Sequence, residues 1–280
     1  MMRCTVCHKP YVGPKNHYVC TYCGASIESP VDLEKNPEHL RDVLRKGSED
    51  GIWGYRDFFT VPEDAQPVTM GEGNTPLIHT DRLGAFYGMK NLYLKNETLN
   101  PSGTYKDRFA TVATTLAKKD GIKQVAIGSA GNAAAAVAAY AAKAGMECFI
   151  MLPPGAVKER AWQNMSYGGH FIYGVGGVND CVKMAEDGEA IFGWKNMCTT
   201  MMNNPLACDG YKTIAYETAR SMKFEAPDYV VCPVGGGIVV SKVYKGYEEM
   251  YALGMIDHLP KMIAVQACLL YTSPSPRDAH

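Results

Sequence analysis

The 280-residue chain carries 28 basic against 29 acidic side chains, a net charge of -1, with 46% hydrophobic and 20% charged residues. That balance suits a globular protein with a sizeable core in one large domain or two lobes, and it argues against a general binder of phosphate backbones, so no nucleic-acid partner is expected. No apolar run is long enough to span a membrane, and Met1-Met2-Arg3-Cys4 lacks the apolar core of a signal peptide, so a cytoplasmic protein without a membrane partner is expected.

The first organised feature is a pair of cysteine knuckles, Cys4-x2-Cys7 and Cys20-x2-Cys23, separated by twelve residues that include Gly13, Pro14 and Asn16. Four thiolates at this spacing can close a tetrahedral shell around a structural Zn²⁺, leaving no open position for catalysis. Residues 1–28 therefore read as a zinc ribbon, with His8 and His17 as bystanders. Cys148, Cys181, Cys198, Cys208, Cys232 and Cys268 are scattered among apolar segments, as reduced buried thiols are. Glu28 to Gly51 is a polar connector with a short helix over Pro37 to Lys46. Trp53, Tyr55, Phe58 and Phe59 form an aromatic cluster that reads as core. Gly71-Glu72-Gly73-Asn74-Thr75-Pro76-Leu77 is a tight loop, and Asn91 to Lys95 a strand.

Asn100-Pro101-Ser102-Gly103-Thr104-Tyr105-Lys106-Asp107-Arg108 follows. Its turn dipeptides end at a helix starting near Tyr105, with Ser102 or Thr104 as cap. Tyr105, Phe109, Val112 and Leu116 give that helix its core-facing stripe. Lys106 stands beside the stripe at the positive helix end. Partial burial and the macrodipole both disfavour its ammonium form, as an amine nucleophile requires.

From Val125 the chain alternates between short β-rich runs and helical stretches. Strands are expected at Val125 to Ile127, Glu147 to Leu152, His170 to Tyr173, Met197 to Thr199, Tyr229 to Val234 and Met262 to Gln266. Helices are expected at Asn132 to Ala144, Pro153 to Tyr167, Asn179 to Phe192, Asp209 to Met222 and Ile238 to Leu253. This alternation predicts an α/β fold with doubly wound, mainly parallel sheets, whose ligands sit at the carboxyl ends of strands.

Two loops at such ends carry chemistry. Ser129-Ala130-Gly131-Asn132 lets backbone approach a ligand and offers Asn132 as donor and acceptor. Gly235-Gly236-Gly237-Ile238 follows a buried strand and opens a helix, so its N–H groups can wrap a phosphate. A dinucleotide fingerprint is absent: Gly174-Val175-Gly176-Gly177 would need a third glycine where Asn179 stands. A lysine behind a turn, a Ser-Asn loop and a phosphate cup together suit a cofactor bearing an aldehyde, a hydroxyl and a phosphate, which describes pyridoxal phosphate.

At this point the chain resembles the threonine synthase branch of the fold-type II pyridoxal-phosphate enzymes. The matching stretches are GEGNTPL at Gly71 to Leu77, NPSGTYKDR at Asn100 to Arg108, SAGN at Ser129 to Asn132, NPLACDGYKT at Asn204 to Thr213 and GGGI at Gly235 to Ile238. The resemblance runs from about Cys4, since related synthases also carry zinc ribbons, to about Ala267. It implies a two-lobed, tryptophan synthase β-like fold over 29–267. The smaller lobe would span roughly 105–178, and the flanking segments would form an incomplete larger lobe. Lys106 would bind pyridoxal phosphate, Asn132 would bond its ring hydroxyl, and Val234 with Gly235, Gly236, Gly237 and Ile238 would cradle its phosphate. Asn74, Thr75, Ser129 and Arg160 would face the substrate, and Cys4, Cys7, Cys20 and Cys23 would hold the zinc.

The implied reaction turns O-phospho-L-homoserine and water into L-threonine and phosphate. A homodimer is expected. Where the family carries an arginine and a glutamate, this chain has Ala207 and Asp209, which removes a bidentate clamp for an anionic group. Siblings acting on another amino acid, such as a cysteate synthase-like enzyme or a threonine ammonia-lyase, remain alternatives, as does a catalytically silent binding protein of the same fold. Residues 268–280, from Cys268 to His280, break the alternation and read as a non-native tail on a fragment.

Overall fold

A computed structural model of the chain describes residues 1–14, 17–47, 49–129, 131–154, 158–174 and 176–266. The tail expected at 268–280 lies outside the described residues. The chain divides into two compact units, Met1–Val31 with Ser48–Gly210, and Asp32–Gly47 with Tyr211–His280.

The first unit opens with β1 (Arg3–Cys4) paired antiparallel to β2 (Ile27–Glu28), over a small core of Cys4, Cys20 and Ile27. Then α1 (Pro37–Lys46) belongs to the second unit; Asn36 Oδ1 caps it by accepting from His39 N–H at 3.4 Å, and Leu40 and Leu44 are its buried face. Back in the first unit, Trp53, Tyr55, Phe58 and Phe59 are buried as expected. Trp53 Nε1–H donates to Thr111 Oγ1 at 2.8 Å, fixing that aromatic cluster to the helix that carries the lysine. A hairpin of β3 (Leu77–His79) and β4 (Tyr93–Lys95) flanks α2 (Asp81–Tyr87). Neither β3 nor α2 was expected, because the exposed Leu83, Phe86 and Tyr87 give α2 no buried stripe.

Next, α3 (Asp107–Lys119) begins two residues later than expected. Tyr105 and Lys106 still belong to the turn, where Thr104 Oγ1 accepts the Lys106 N–H at 3.3 Å. The central sheet follows as β5 (Gln124–Gly128), α4 (Asn132–Ala144), β6 (Glu147–Leu152), α5 (Lys158–Ser166), β7 (His170–Tyr173), α6 (Val178–Phe192) and β8 (Lys195–Asn196). Its strands are all parallel, in the order β7-β6-β5-β8. Val125, Ala126, Ile127, Ile150 and Met151 are buried, the continuous apolar run of strands covered on both faces. The alanines of α4 are small enough for that helix to lie close against α3, β5 and β6 at once.

Strand β8 replaces the run expected at Met197 to Thr199. Asn196 Oδ1 accepts the Cys198 N–H at 2.8 Å, and this side-chain turn leads the chain away from the ladder. A 3-10 helix at Ala207–Lys212 leads into α7 (Thr213–Ser221), so the single helix expected over Asp209 to Met222 is split. The second unit is completed by β9 (Tyr229–Val234), α8 (Ile238–Ala252) and β10 (Lys261–Gln266). Strands β9 and β10 pair in parallel, and α7 packs on α8. There Lys212 Nζ meets Glu249 Oε1 at 3.0 Å, and the Tyr216 hydroxyl donates to Glu249 Oε2.

Candidate active site

In the sheet order β7-β6-β5-β8, the chain leaves β5 for β6 on one side and later returns to β8 on the other. The switch point therefore lies between β5 and β8, and in open α/β sheets ligands bind outside the carboxyl ends of the two strands that flank it. After β5 comes the Ser129–Asn132 loop; after β8 comes Cys198-Thr199. Gly128 N–H donates to Cys198 Sγ at 3.4 Å, joining the two strand exits.

Lys106 reaches this place from the turn that opens α3. Its Nζ donates to Thr199 Oγ1 at 3.3 Å, so the amine lies at the switch point. Burial pulls its pKa below the ordinary lysine value, and the Cys208 thiol works in the opposite direction. Neutral amine is thereby made more available, as a carbonyl-binding lysine needs.

Two buried polar clusters fix where Lys106 stands. Asp107 accepts from Ser102 N–H at 2.7 Å and from the Ser102 hydroxyl, so the residue expected as a helix cap acts through Asp107. The fully buried Arg108 grips Glu97 with Nε and Nη2, both at 2.7 Å, and its Nη2 lies 3.2 Å from Thr75 Oγ1. Thr75 Oγ1 in turn donates to Glu97 Oε1 at 2.6 Å. The Lys-Asp-Arg run is thus one partly buried amine and two anchors, the second reaching into the Gly71–Leu77 loop.

The other expected site residues fall as follows. Ser129 Oγ accepts from Gly131 N–H at 3.3 Å, and Asn132 is the exposed first residue of α4. Both stand at the switch point with Lys106. Ala130, between them, lies outside the described residues. Asn74 is exposed at φ 49°, while the hydroxyl of Thr75 is engaged by Glu97 and Arg108. Arg160 belongs to α5, and its side chain lies outside the described residues. Val234–Ile238 belongs to the second unit. Gly237 there, at φ 81°, is the cap of α8, and a Cβ added at Gly235, Gly236 or Gly237 would meet nothing within 4 Å. This is the open, side-chain-free helix N-terminus that a phosphate requires.

Thr199, Cys208 and Glu97 were not singled out by the sequence. For Thr199 a signal existed, since it follows a strand at the switch point. Glu97 offered none, because its partner Arg108 is recognisable only in the folded chain.

The cysteines Cys4, Cys7, Cys20 and Cys23 gather with all four Sγ atoms within 4.8 Å of one another. Cys4 and Cys23 sulfurs lie 3.4 Å apart, Cys7 and Cys20 sulfurs 3.6 Å. Four Zn–S bonds of about 2.3 Å imply tetrahedral edges of about 3.8 Å, whereas a disulfide needs about 2.05 Å. Burial works against ionisation of Cys4, but the N–H groups of Cys7 and Val6, with Cys23 and Cys7 sulfurs, outweigh it and bring its pKa down to about 6. The donor set and its spacing fit a tetrahedral thiophilic cation.

No helix among the described residues is long and apolar enough to cross a membrane. The chain is 35% identical over 270 residues to a threonine synthase of Methanocaldococcus jannaschii, covering 95% of this chain and 65% of that protein. It is 38% identical over 217 residues to a threonine synthase of Mycobacterium bovis, covering 77% and 59%. The chain thus spans less than two thirds of the length of these curated relatives. Among solved structures it is similar to a processed threonine deaminase isoform 2 of Solanum lycopersicum, with TM-score 0.61 and 20% identity over 92% of this chain and 61% of that one. A diaminopropionate ammonia lyase of Escherichia coli matches with TM-score 0.61 and 19% identity, covering 85% and 66%. These two likenesses bear on the fold, and they agree with an α/β fold-type II architecture built on mostly parallel sheets. The family model described as pyridoxal-phosphate dependent enzyme matches residues 68–279. Since that stretch is most of the chain and contains Lys106 with the loops that follow β5 and β9, the chain belongs to the family of pyridoxal-phosphate-dependent enzymes.

Proposed function

We propose that the chain is the catalytic part of a threonine synthase-like lyase, which releases phosphate from O-phospho-L-homoserine and adds water to give L-threonine. The observation that carries this reading is the Lys106 amine, partly buried, lowered in pKa and placed at the sheet's switch point. The names of the relatives supply the product, threonine, and the family resemblance supplies the substrate. The assigned roles are those the residue chemistry supports: Lys106 as the covalent anchor, Asn132 toward the ring hydroxyl, Val234–Ile238 around the phosphate, and Asn74, Thr75, Ser129 and Arg160 toward the substrate.

When bound, pyridoxal phosphate would supply an electron sink for the pair left on the substrate carbon when a proton is removed from it. The chain must then hold and move that proton. Lys106 Nζ is the base assigned to that role, and burial, which pulls its pKa below the ordinary lysine value, favours the neutral amine that can take a proton. Thr199 Oγ1 orients the amine, and Asp107 and Arg108 fix the backbone on either side of the first turn of α3. In the overall reaction the Cγ–O bond to phosphate breaks, water supplies the hydroxyl at Cβ, and protons are redistributed over the substrate carbons.

We assign Cys4, Cys7, Cys20 and Cys23 to one structural zinc ion. A closed thiolate shell holds the 1–28 segment together and leaves no open coordination position for a substrate. A cytoplasmic location and a homodimer complete the reading.

A specific observation favours a second reading. Ala207 and Asp209 are buried, at 1% and 3% exposure, where the family resemblance calls for an arginine and a glutamate, so no guanidinium is available at that place for a substrate phosphate. A sibling acting on another amino acid, cysteate synthase-like or a threonine ammonia-lyase, follows from that difference. Incubating the protein and pyridoxal phosphate with O-phosphohomoserine, phosphoserine or threonine, and analysing the products, separates these readings. Threonine from the first substrate alone is expected. Added cofactor should also give a visible absorbance band that Lys106→Ala abolishes. A wild-type protein with no such band would overturn the enzyme assignment in favour of a silent binding protein.

A further inference from the structure

The cysteine cluster and the candidate active site are joined by a continuous path within the first unit. Tyr18, between the two cysteine pairs, donates its backbone N–H to Met202 O at 2.6 Å. Met202 lies at the tip of the segment 197–204, which carries Thr199, the partner of Lys106. The base of this segment is tied to the sheet. Asn204 Nδ2 donates to Asn196 O at 3.0 Å and to Cys198 O at 2.9 Å, and Cys198 Sγ accepts from Gly128 N–H. The tip is closed by Thr200 Oγ1, which accepts the Asn203 N–H at 3.2 Å, and its outward carbonyl is taken by Tyr18. We propose that the four-cysteine cluster is a positioning device for Thr199: by holding Tyr18 against Met202, a thiophilic divalent ion bound there sets how firmly the Lys106 amine is oriented.

The physical reason is the small size of the cysteine segment. Its two strands are two residues each, and its buried core is Cys4, Cys20 and Ile27 with half-buried neighbours. So little apolar burial does not order such a segment alone, and metal binding supplies the missing folding free energy. When the ion leaves, Tyr18 is no longer held, the Met202 carbonyl loses its partner, and the loop bearing Thr199 gains freedom. Lys106 then keeps its place at the turn before α3 but loses Thr199 as a fixed acceptor.

The inference rests on the reading of the cysteines as metal ligands and of Lys106 as the cofactor lysine, and the test separates these. In the 280-residue chain, zinc-loaded or stripped with a chelator, amide hydrogen exchange is followed over 1–31 and 197–204 without cofactor. Pyridoxal phosphate binding is titrated in parallel on wild type, Thr199→Val and Thr199→Ser. Stripping should speed exchange in both segments. It should weaken cofactor binding roughly 2- to 10-fold in wild type and Thr199→Ser, the range that loss of one hydrogen bond gives, and leave Thr199→Val nearly unaffected. Faster exchange over 1–31 with 197–204 unchanged would overturn the proposal. Equal weakening of Thr199→Val and wild type would do the same, as would failure of the chain to take up zinc. If cofactor does not bind at all, the exchange result still decides the coupling and only the Lys106 reading falls.

Discussion

Asp107 stands next to Lys106 and has a pH signature of its own. Burial raises its pKa to about 6, the hydroxyl and N–H of Ser102 pull in the other direction, and the nearby Glu72 and Glu97 charges add to the rise. The folded state therefore holds a proton that the unfolded chain, near 3.8, has already released. Stability accordingly falls as pH rises from about 4 to about 6 and is flat above, the reverse of an ion-paired carboxylate. The contribution is at most roughly 3 kcal/mol from a shift of about two units. Asp107→Asn keeps an acceptor for the Ser102 N–H and offers a donor to its hydroxyl, so it should fold and lose this slope. Urea unfolding of both proteins across pH 4.5–7 checks the point; parallel curves for wild type and variant would show that Asp107 is ionised throughout.

At the scale of elements, the first turn of α3 is held from two directions. One is the buried pair of Arg108 and Glu97, whose side chains are 0% and 15% exposed. Removing one partner of such a pair leaves an uncompensated charge, so Glu97→Ala should cost about 3–5 kcal/mol in unfolding free energy, and more than Thr75→Ala. The other is the 3-10 helix at Ala207–Lys212, where a Cβ on Gly210 would lie 1.9 Å from Arg108 O. Backbone cannot yield as a side-chain tip can. Gly210→Ala should displace the turn carrying Lys106 and weaken cofactor binding at least tenfold, measured by titration of the visible band. The elements themselves were largely legible. α4, β6, β7 and β9 start and stop where apolar runs meet glycine, proline or charged punctuation. β8 was not, since Met197-Cys198-Thr199 has strand composition and only the Asn196 side chain, bonded to Cys198 N–H, turns it out of the ladder.

For the molecule as a whole, the candidate site was legible where its residues lie in local motifs and obscure where they meet across the chain. Lys106, Ser129–Asn132 and Gly235–Gly237 each sit in a turn or helix start that declares itself over a few residues. Thr199 meets Lys106 across 93 positions, and Tyr18 meets Met202 only through the fold. Surface behaviour, too, depends on what folding brings together. In the parallel pair β9 and β10, Val231 stands opposite Ile263 and Tyr229 opposite Lys261, so Tyr229, Val231, Ile263 and Val265 share one face. Their exposures are 57%, 61%, 42% and 53%. Parallel strands are ordinarily covered on both faces, and an uncovered apolar face favours association. With a net charge of -1 and a sequence pI near 6.6, charge repulsion between molecules is weak near neutral pH. Solubility should therefore pass through a minimum close to pH 6.6. The pair Val231→Thr with Ile263→Thr should raise solubility there while leaving the cofactor titration unchanged, because neither side chain belongs to the site. Light scattering at a series of protein concentrations reads both effects. A variant that associates as strongly as wild type would place the sticky surface elsewhere.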